Sequence, residues 1–198
     1  MAADYEQLRN NLRAFYDFTG KVVLFIGAGG KQLFDPAVET NKLIVIDKDF
    51  GALQELKARV SANGKQDSIQ VIAGSFEEIT FLGDVVYFEF CLHEMAEPER
   101  ALAHARTLAP EVVVFDHLPG SEWTYYAAEE DKVRRSAEAV EREGVRRRQT
   151  FAAEQRFRDF DELIAKISVQ GPLAIERAQR FAGAANIVIP MTYALTLL

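Results

Sequence analysis

Hydrophobic positions fall into short continuous runs separated by stretches with helical spacing. The runs at 22–26, 43–46, 69–72, 85–90 and 112–115 are rich in Val, Ile, Leu and Phe. Runs of this length without polar alternation predict strands buried on both faces, as in a parallel sheet covered by helices. Between them, "GALQELKARVSAN" repeats apolar residues at Leu53, Leu56 and Val60 and stops at Asn63-Gly64, a helix-ending pair. "EPERALAHARTLAPE" does the same and stops before Pro110. Strand–helix alternation of this kind predicts right-handed crossovers and a doubly wound α/β sheet.

After Phe115 the rhythm changes. A turn at "LPG" leads into a long charged helix over about 123–142. A strand near 149–157, the helix "DFDELIAKI", a second helical stretch through Arg180 and a last strand over 187–197 follow. Pro190 in that last strand suits an edge or a bulge, because proline cannot donate to a ladder. The pattern predicts a mostly parallel seven-stranded sheet with helices on both faces and the last strand antiparallel. It divides a single domain over 1–198 into an N-terminal helix within 1–20 that can close the site as a lid, a ligand-binding half over 21–118, and a substrate-side helix with late strands over 119–198.

Composition narrows the function classes. The chain has 198 residues, 48% hydrophobic and 27% charged, which fits one domain with a sizeable core and leaves little room for a separate substrate domain. A net charge of −7 argues against a general affinity for nucleic acid. Arg146, Arg147 and Arg148 form a basic knot that reads as a solvated helix end balanced by nearby glutamates. Cys91 is the single cysteine, so no internal disulfide forms and a reducing, cytoplasmic compartment is expected. "MAADYEQLRNNLRAFYDF" reads as an amphipathic helix, not a signal peptide, and the apolar tail "ANIVIPMTYALTLL" is too short to span a bilayer. The expected partner is a small molecule, with no nucleic acid and no membrane, bound by a monomer or homodimer.

The chemistry starts at "KVVLFIGAGGKQLF", where the first strand ends in a glycine turn. In a doubly wound sheet, ligands bind outside the carboxyl ends of the strands where strand order reverses. The dinucleotide fingerprint asks for glycines at its first, third and sixth places; Gly27 and Gly29 supply two, and Gln32 stands at the sixth. Asp47, about twenty residues beyond Gly27, is placed to accept hydrogen bonds from ribose hydroxyls, while Asp49 suits the cap of the following helix.

Taken together, "VVLFIGAGG", "LIVIDKD", "IQVIAGSF", "DVVYFEFCLHEM" and "LAPEVVVFD" resemble the successive motifs of the class I S-adenosylmethionine-dependent methyltransferases, in order and spacing, from about Val22 to Asp116. "LHEM" looks especially like the small methyltransferases that act on low-molecular-weight acceptors. The resemblance implies a Rossmann-like fold, S-adenosylmethionine as cofactor and in-line methyl transfer. It implies that Gly27, Ala28 and Gly29 face the methionyl part of the cofactor, that Asp47 binds the ribose, and that Lys48 lies along the adenine. Ser75 stands where the family often has an acidic residue for the adenine amino group, and Phe76 offers a backbone amide and an apolar face. Phe90, Cys91 and His93 would line the mouth near the sulfonium.

Two positions depart from the family. Phe25 stands where an acidic residue usually fixes the cofactor's ammonium, and Lys31 replaces the third glycine of the loop. Lys31 is then a candidate partner of the cofactor carboxylate, with Glu89 or main-chain carbonyls taking the ammonium.

Methyl transfer needs a base only when the acceptor holds its proton at neutral pH. His93 is the first candidate and His117 the second, since imidazole titrates near neutrality. Trp123 and Tyr126 are candidates for the acceptor wall, although their spacing also fits a core stripe. No metal site is expected: the histidines are far apart and "HE" lacks a second histidine four residues after the first. Two other readings stand beside methyl transfer: a methyltransferase-like binding protein without catalysis, for which Phe25 and Ser75 speak, and a nicotinamide-dependent oxidoreductase, which Gln32 opposes.

Overall fold

The computed structural model describes residues 5–27, 40–62 and 68–198 of the chain. Seven strands form one sheet: β1 (Val22–Ile26), β2 (Lys42–Asp47), β3 (Ile69–Ala73), β4 (Val85–Glu89), β5 (Glu111–His117), β6 (Arg147–Asp159) and β7 (Ala185–Leu197). Their order is β3-β2-β1-β4-β5-β7-β6. β1 to β5 run parallel, and β7 is antiparallel to both β5 and β6. The order reverses between β1 and β4, so the crevice outside their carboxyl ends is where this topology receives a ligand. Ala28, Gly29, Gly30, Lys31 and Gln32, and the helix stop at Asn63-Gly64, lie outside the described residues.

The helices among the described residues are α1 (Tyr5–Phe15), α2 (Phe50–Ala62), α3 (Pro98–Leu108), α4 (Glu122–Tyr126), α5 (Glu130–Arg142), α6 (Phe160–Ile167) and α7 (Pro172–Ala178). Successive side chains of a strand point to opposite faces, and here both faces are apolar. Val23 and Phe25 of β1 enter one core cluster, together with residues of α1, α2, α6 and α7. Leu24 and Ile26 enter the other, against α3 and α5. In α1 the buried positions Leu8, Leu12 and Phe15 make one stripe at helical spacing. Fully burying each such side chain contributes roughly 1.5–3 kcal/mol, which fastens this helix over the ligand crevice.

Three expectations change. The helix predicted over 123–142 is two helices, because Ala128 adopts φ 56 and turns the chain before α5 begins. A left-handed alanine costs about 1–2 kcal/mol, and no glycine, asparagine or proline marks the break in the sequence. The last strand is not an edge: β7 lies between β5 and β6. Pro190 is tolerated because the pairing with β5 covers only Tyr193 to Leu197 of β7. Thr192, two residues on, turns its N–H to Ser121 and its carbonyl to Leu118, away from β6, so the backbone nitrogen of Pro190 faces the same unpaired side. The arginine knot opens β6 instead of ending a helix. There Arg146 donates to Glu111 at 3.1 Å, Arg148 pairs with Glu141, and Arg147 lies over the Phe15 ring.

Candidate active site

β1 and β4 end side by side, and Gly27 after the one and Phe90 and Cys91 after the other line the outer end of a cavity. Gly27 has φ +94, and a Cβ there would meet the Cβ and Sγ of Cys91 at 3.0 Å. Only glycine satisfies both limits, the backbone angle and the close approach. On β4 the next residue, Phe90, is held at φ 48, with its ring packed on Phe115 at 4.5 Å and on His117 at 4.7 Å. A bulky residue in the left-handed region is strained and persists only when its surroundings hold it. That turn carries Cys91, Leu92 and His93 beyond the sheet. The Cys91 thiol donates to the Ile26 carbonyl at 3.1 Å, and burial, with the charge of Asp116 adding, pushes its pKa well up. It is a packing thiol, not a nucleophile.

Asp47 closes β2 at the same level. Its Oδ1 accepts from the Asp49 N–H at 2.7 Å, and Asp49 accepts from the Ala52 N–H at 3.1 Å, so Asp49 caps α2 and leaves Asp47 on the cavity wall. Phe25 is fully buried, 5.3 Å from the Tyr87 ring. The carboxylate in this neighbourhood is Glu89, one strand over on β4: it is buried, accepts from the Tyr87 hydroxyl at 2.7 Å and lines the cavity.

The cavity has a volume of about 560 Å³. Gly27, Asp47, Glu89 and Cys91 line it at the strand ends, Tyr5 and Leu8 of α1 line it too, and the buried His93, Glu129 and Gln155 make up its inner end. Of the residues singled out from sequence, Gly27, Asp47, Phe90, Cys91, His93, His117 and Trp123 line it. Lys48, Ser75, Phe76 and Tyr126 do not. Lys48 is exposed, and Ser75 bonds to Glu77. Phe76 packs on Phe88 and on the half-buried His104. Tyr126 packs against Phe181 and accepts from Arg180 at 2.6 Å.

The inner end is a network of charges. His93 is 4% exposed, and its Nδ1–H donates to Asp116 at 2.5 Å while its backbone N–H donates to the other carboxylate oxygen at 3.0 Å. A carboxylate only accepts, so the contact fixes the proton on Nδ1 and turns Nε2 towards Glu94 at 3.7 Å and Glu129 at 3.9 Å. Burial alone would lower the His93 pKa, but the charge and hydrogen bond of Asp116, with Glu129 and Glu94 behind them, raise it from 6.5 to about 9. Burial raises Glu129 to about 7, while Glu94, held by Lys132 at 2.7 Å, falls to about 2 in spite of its own burial.

His117 has the opposite fate. Burial and the neighbouring His93 charge lower its pKa to about 3, against the pull of Asp116, and its Nδ1 has no hydrogen-bond partner. Burial thus disfavours a protonated His117, and its ring stays on the cavity wall. Burial, with Glu94 beside it, raises Glu129 towards neutrality, and the sequence reading did not single this residue out. Its inward placement depends on the break at Ala128, for which the sequence carries no turn signal. Asp116 was legible as the last residue of the fifth motif, though its partner was not.

No family profile matches the sequence, and no curated protein does. Many solved structures share the fold. A protein assigned as a methyltransferase from Bacillus halodurans superposes with a TM-score of 0.66 at 15% identity, covering 96% of each chain. An S-adenosylmethionine-dependent methyltransferase from Aquifex aeolicus gives 0.58 at 14% identity, over 96% of this chain and 88% of that one. A precorrin 8w decarboxylase from Methanobacterium thermoautotrophicum gives 0.59 at 13%, over 97% and 89%. At these identities the likeness is one of fold.

Proposed function

We infer, from a chain with the class I methyltransferase fold, that it transfers a methyl group from S-adenosylmethionine to a small acceptor carrying a hydroxyl or an amine. The observation that carries this reading is the single cavity that joins the ligand crevice of the fold to a proton-handling inner end. Its volume falls in the range of about 300–1,000 Å³ usual for small-molecule sites. The residues fit the cofactor: Gly27 lines the cavity at the end of β1, Asp47 is on the wall where the ribose is expected, and Glu89 is a buried carboxylate beside Gly27 where Phe25 offers none.

The cofactor, when bound, supplies an activated methyl group, so the protein's work is alignment and exclusion of water. In this reading Asp47 accepts from the ribose hydroxyls and Glu89 from the ammonium. Tyr5 and Leu8 of α1 shield the crevice from solvent. Trp123, Ile167 and Met191, on the lining of the same cavity, provide apolar surface for the acceptor. Glu129, ionising at about pH 7, takes the acceptor's proton. His93, charged and locked by Asp116, offsets the negative charge that collects there.

A second reading, binding without turnover, is favoured by one observation: Phe25 is sealed in the core at the position where the family's ammonium ligand would stand. The test is incubation with S-adenosylmethionine and pools of hydroxyl- and amine-bearing metabolites, followed by mass spectrometry. A methylated product that Asp47→Ala abolishes supports transfer. Demethylated-cofactor binding without any methylated product assigns the chain to the second reading.

A further inference from the structure

The inner end of the cavity gathers side chains of metal-ligating type, two of which, His93 and Glu129, also serve the proposed transfer. His93 Nε2, Glu94 and Glu129 bring one ligand atom each within 4.8 Å of one another, the group of this kind among the described residues. The imidazole nitrogen stands 3.7 Å from one carboxylate and 3.9 Å from the other, beyond hydrogen-bond reach of both. Neighbouring ligands on a cation with bonds of about 2.0–2.2 Å are separated by little less than this.

Two further features point to an ion. Asp116 holds the far nitrogen of His93 at 2.5 Å, the arrangement that fixes the tautomer and orientation of a metal-binding histidine. Gln155, 7% exposed and on the wall of the same cavity, has a buried Oε1 without a hydrogen-bond partner, a hard oxygen suited to a cation or to its water. The Glu94 carboxylate is steadied by Lys132 at 2.7 Å on one oxygen and by Gln170 at 3.2 Å on the other. Lys132 is also the cation already in residence, so it competes.

We propose that His93, Glu94 and Glu129 bind one divalent cation of the manganese-to-zinc series at the inner end of the cavity, with Asp116 as the positioning residue. One nitrogen and two carboxylates suit these ions better than magnesium or calcium, which prefer oxygen alone. Three protein ligands leave coordination positions turned to the cavity, where water or a donor atom of a small ligand completes the shell. The site does not depend on methyl transfer, and its test uses no cofactor.

The test is titration of the chelator-treated full chain with zinc against a chromophoric chelator, and with cobalt followed by its visible absorption. One equivalent of each ion per chain is expected, with cobalt bands of low symmetry. Glu94→Gln, at an exposed position that leaves the fold intact, and Glu129→Gln should each weaken binding by about 100-fold, and Asp116→Asn by about 10–100-fold. Lys132→Met should tighten it, because a competing charge is gone. Circular dichroism checks that each variant is folded, and if Glu129→Gln is not, Glu94→Gln decides. Absence of stoichiometric binding at millimolar metal overturns the proposal. So does an affinity that Glu94→Gln leaves unchanged, which would place the ion elsewhere on the surface.

Discussion

The two ends of the cavity are made by different means. The outer end is shaped by backbone: Gly27 and Phe90 both lie in the left-handed region, and Cys91 fills the space that a side chain on Gly27 would need. The inner end is shaped by charge, with His93, Asp116 and Glu129 drawn from the turn after β4, the end of β5 and the junction of α4 and α5. A crevice at strand ends comes with the fold and is shared by enzymes of different activity, whereas a charged chamber is particular to the chain that builds it. On the proposed function, specificity for the acceptor resides at the inner end.

The sharpest way to separate the two ends is Glu129→Gln in metal-free protein. Turnover should fall by about 10²–10⁴-fold, the usual contribution of a general base, while the affinity for S-adenosylhomocysteine stays within twofold by calorimetry. A parallel loss of affinity would merge the two ends. The same chemistry sets the pH profile: wild-type turnover should rise as pH passes through about 7, where Glu129 ionises, and that limb should vanish in the variant.

Asp116→Asn comes next. Breaking a buried ion pair from one side costs roughly 3–5 kcal/mol, measurable as a shift of the urea unfolding midpoint. The folded-state pKa of His93, about 9, lies above its ordinary 6.5. Its pairing therefore contributes stability in full below pH 6.5, and that contribution is lost as pH rises through 9, roughly 3 kcal/mol in all. The alkaline loss should disappear in the variant, and cofactor affinity of the folded fraction should not change.

Gly27→Ala tests the outer end. The left-handed angle alone costs about 1–2 kcal/mol, and the contact with Cys91 adds to it. In a Cys91→Gly background both the Cβ and the Sγ contacts are removed while the angular cost remains, so a double-mutant cycle on thermal melting should show coupling between the two positions. The smallest effect is expected at Lys48, whose exposed side chain leaves the cavity wall: Lys48→Ala should change stability by less than about 0.5 kcal/mol and leave binding nearly unaltered.

What the sequence disclosed follows the same division. Continuous apolar runs identify β1 to β5 because burial on both faces leaves no other pattern, and the ligand crevice then follows from strand order. Gly27 and Asp47 were legible because strand ends carry the site in this topology. The inner end was not, since His93, Asp116 and Glu129 are neighbours only after the sheet has formed. Ala128 hides the break that brings Glu129 inward, for alanine is a strong helix former and an unusual left-handed residue. His93 and His117 look equivalent in sequence. They diverge because one carboxylate, Asp116, bonds the ring of the first and only the backbone N–H of the second.

The most direct test of one cavity with a cofactor end and a chemical end is calorimetric titration with S-adenosylhomocysteine of the wild type, Asp47→Ala and Glu129→Gln. The account predicts a single micromolar site, weakened at least tenfold by Asp47→Ala, as loss of a charge-assisted hydrogen bond worth about 1.5–3 kcal/mol requires, and untouched by Glu129→Gln. No heat of binding up to millimolar ligand, or an affinity indifferent to Asp47→Ala, would contradict it.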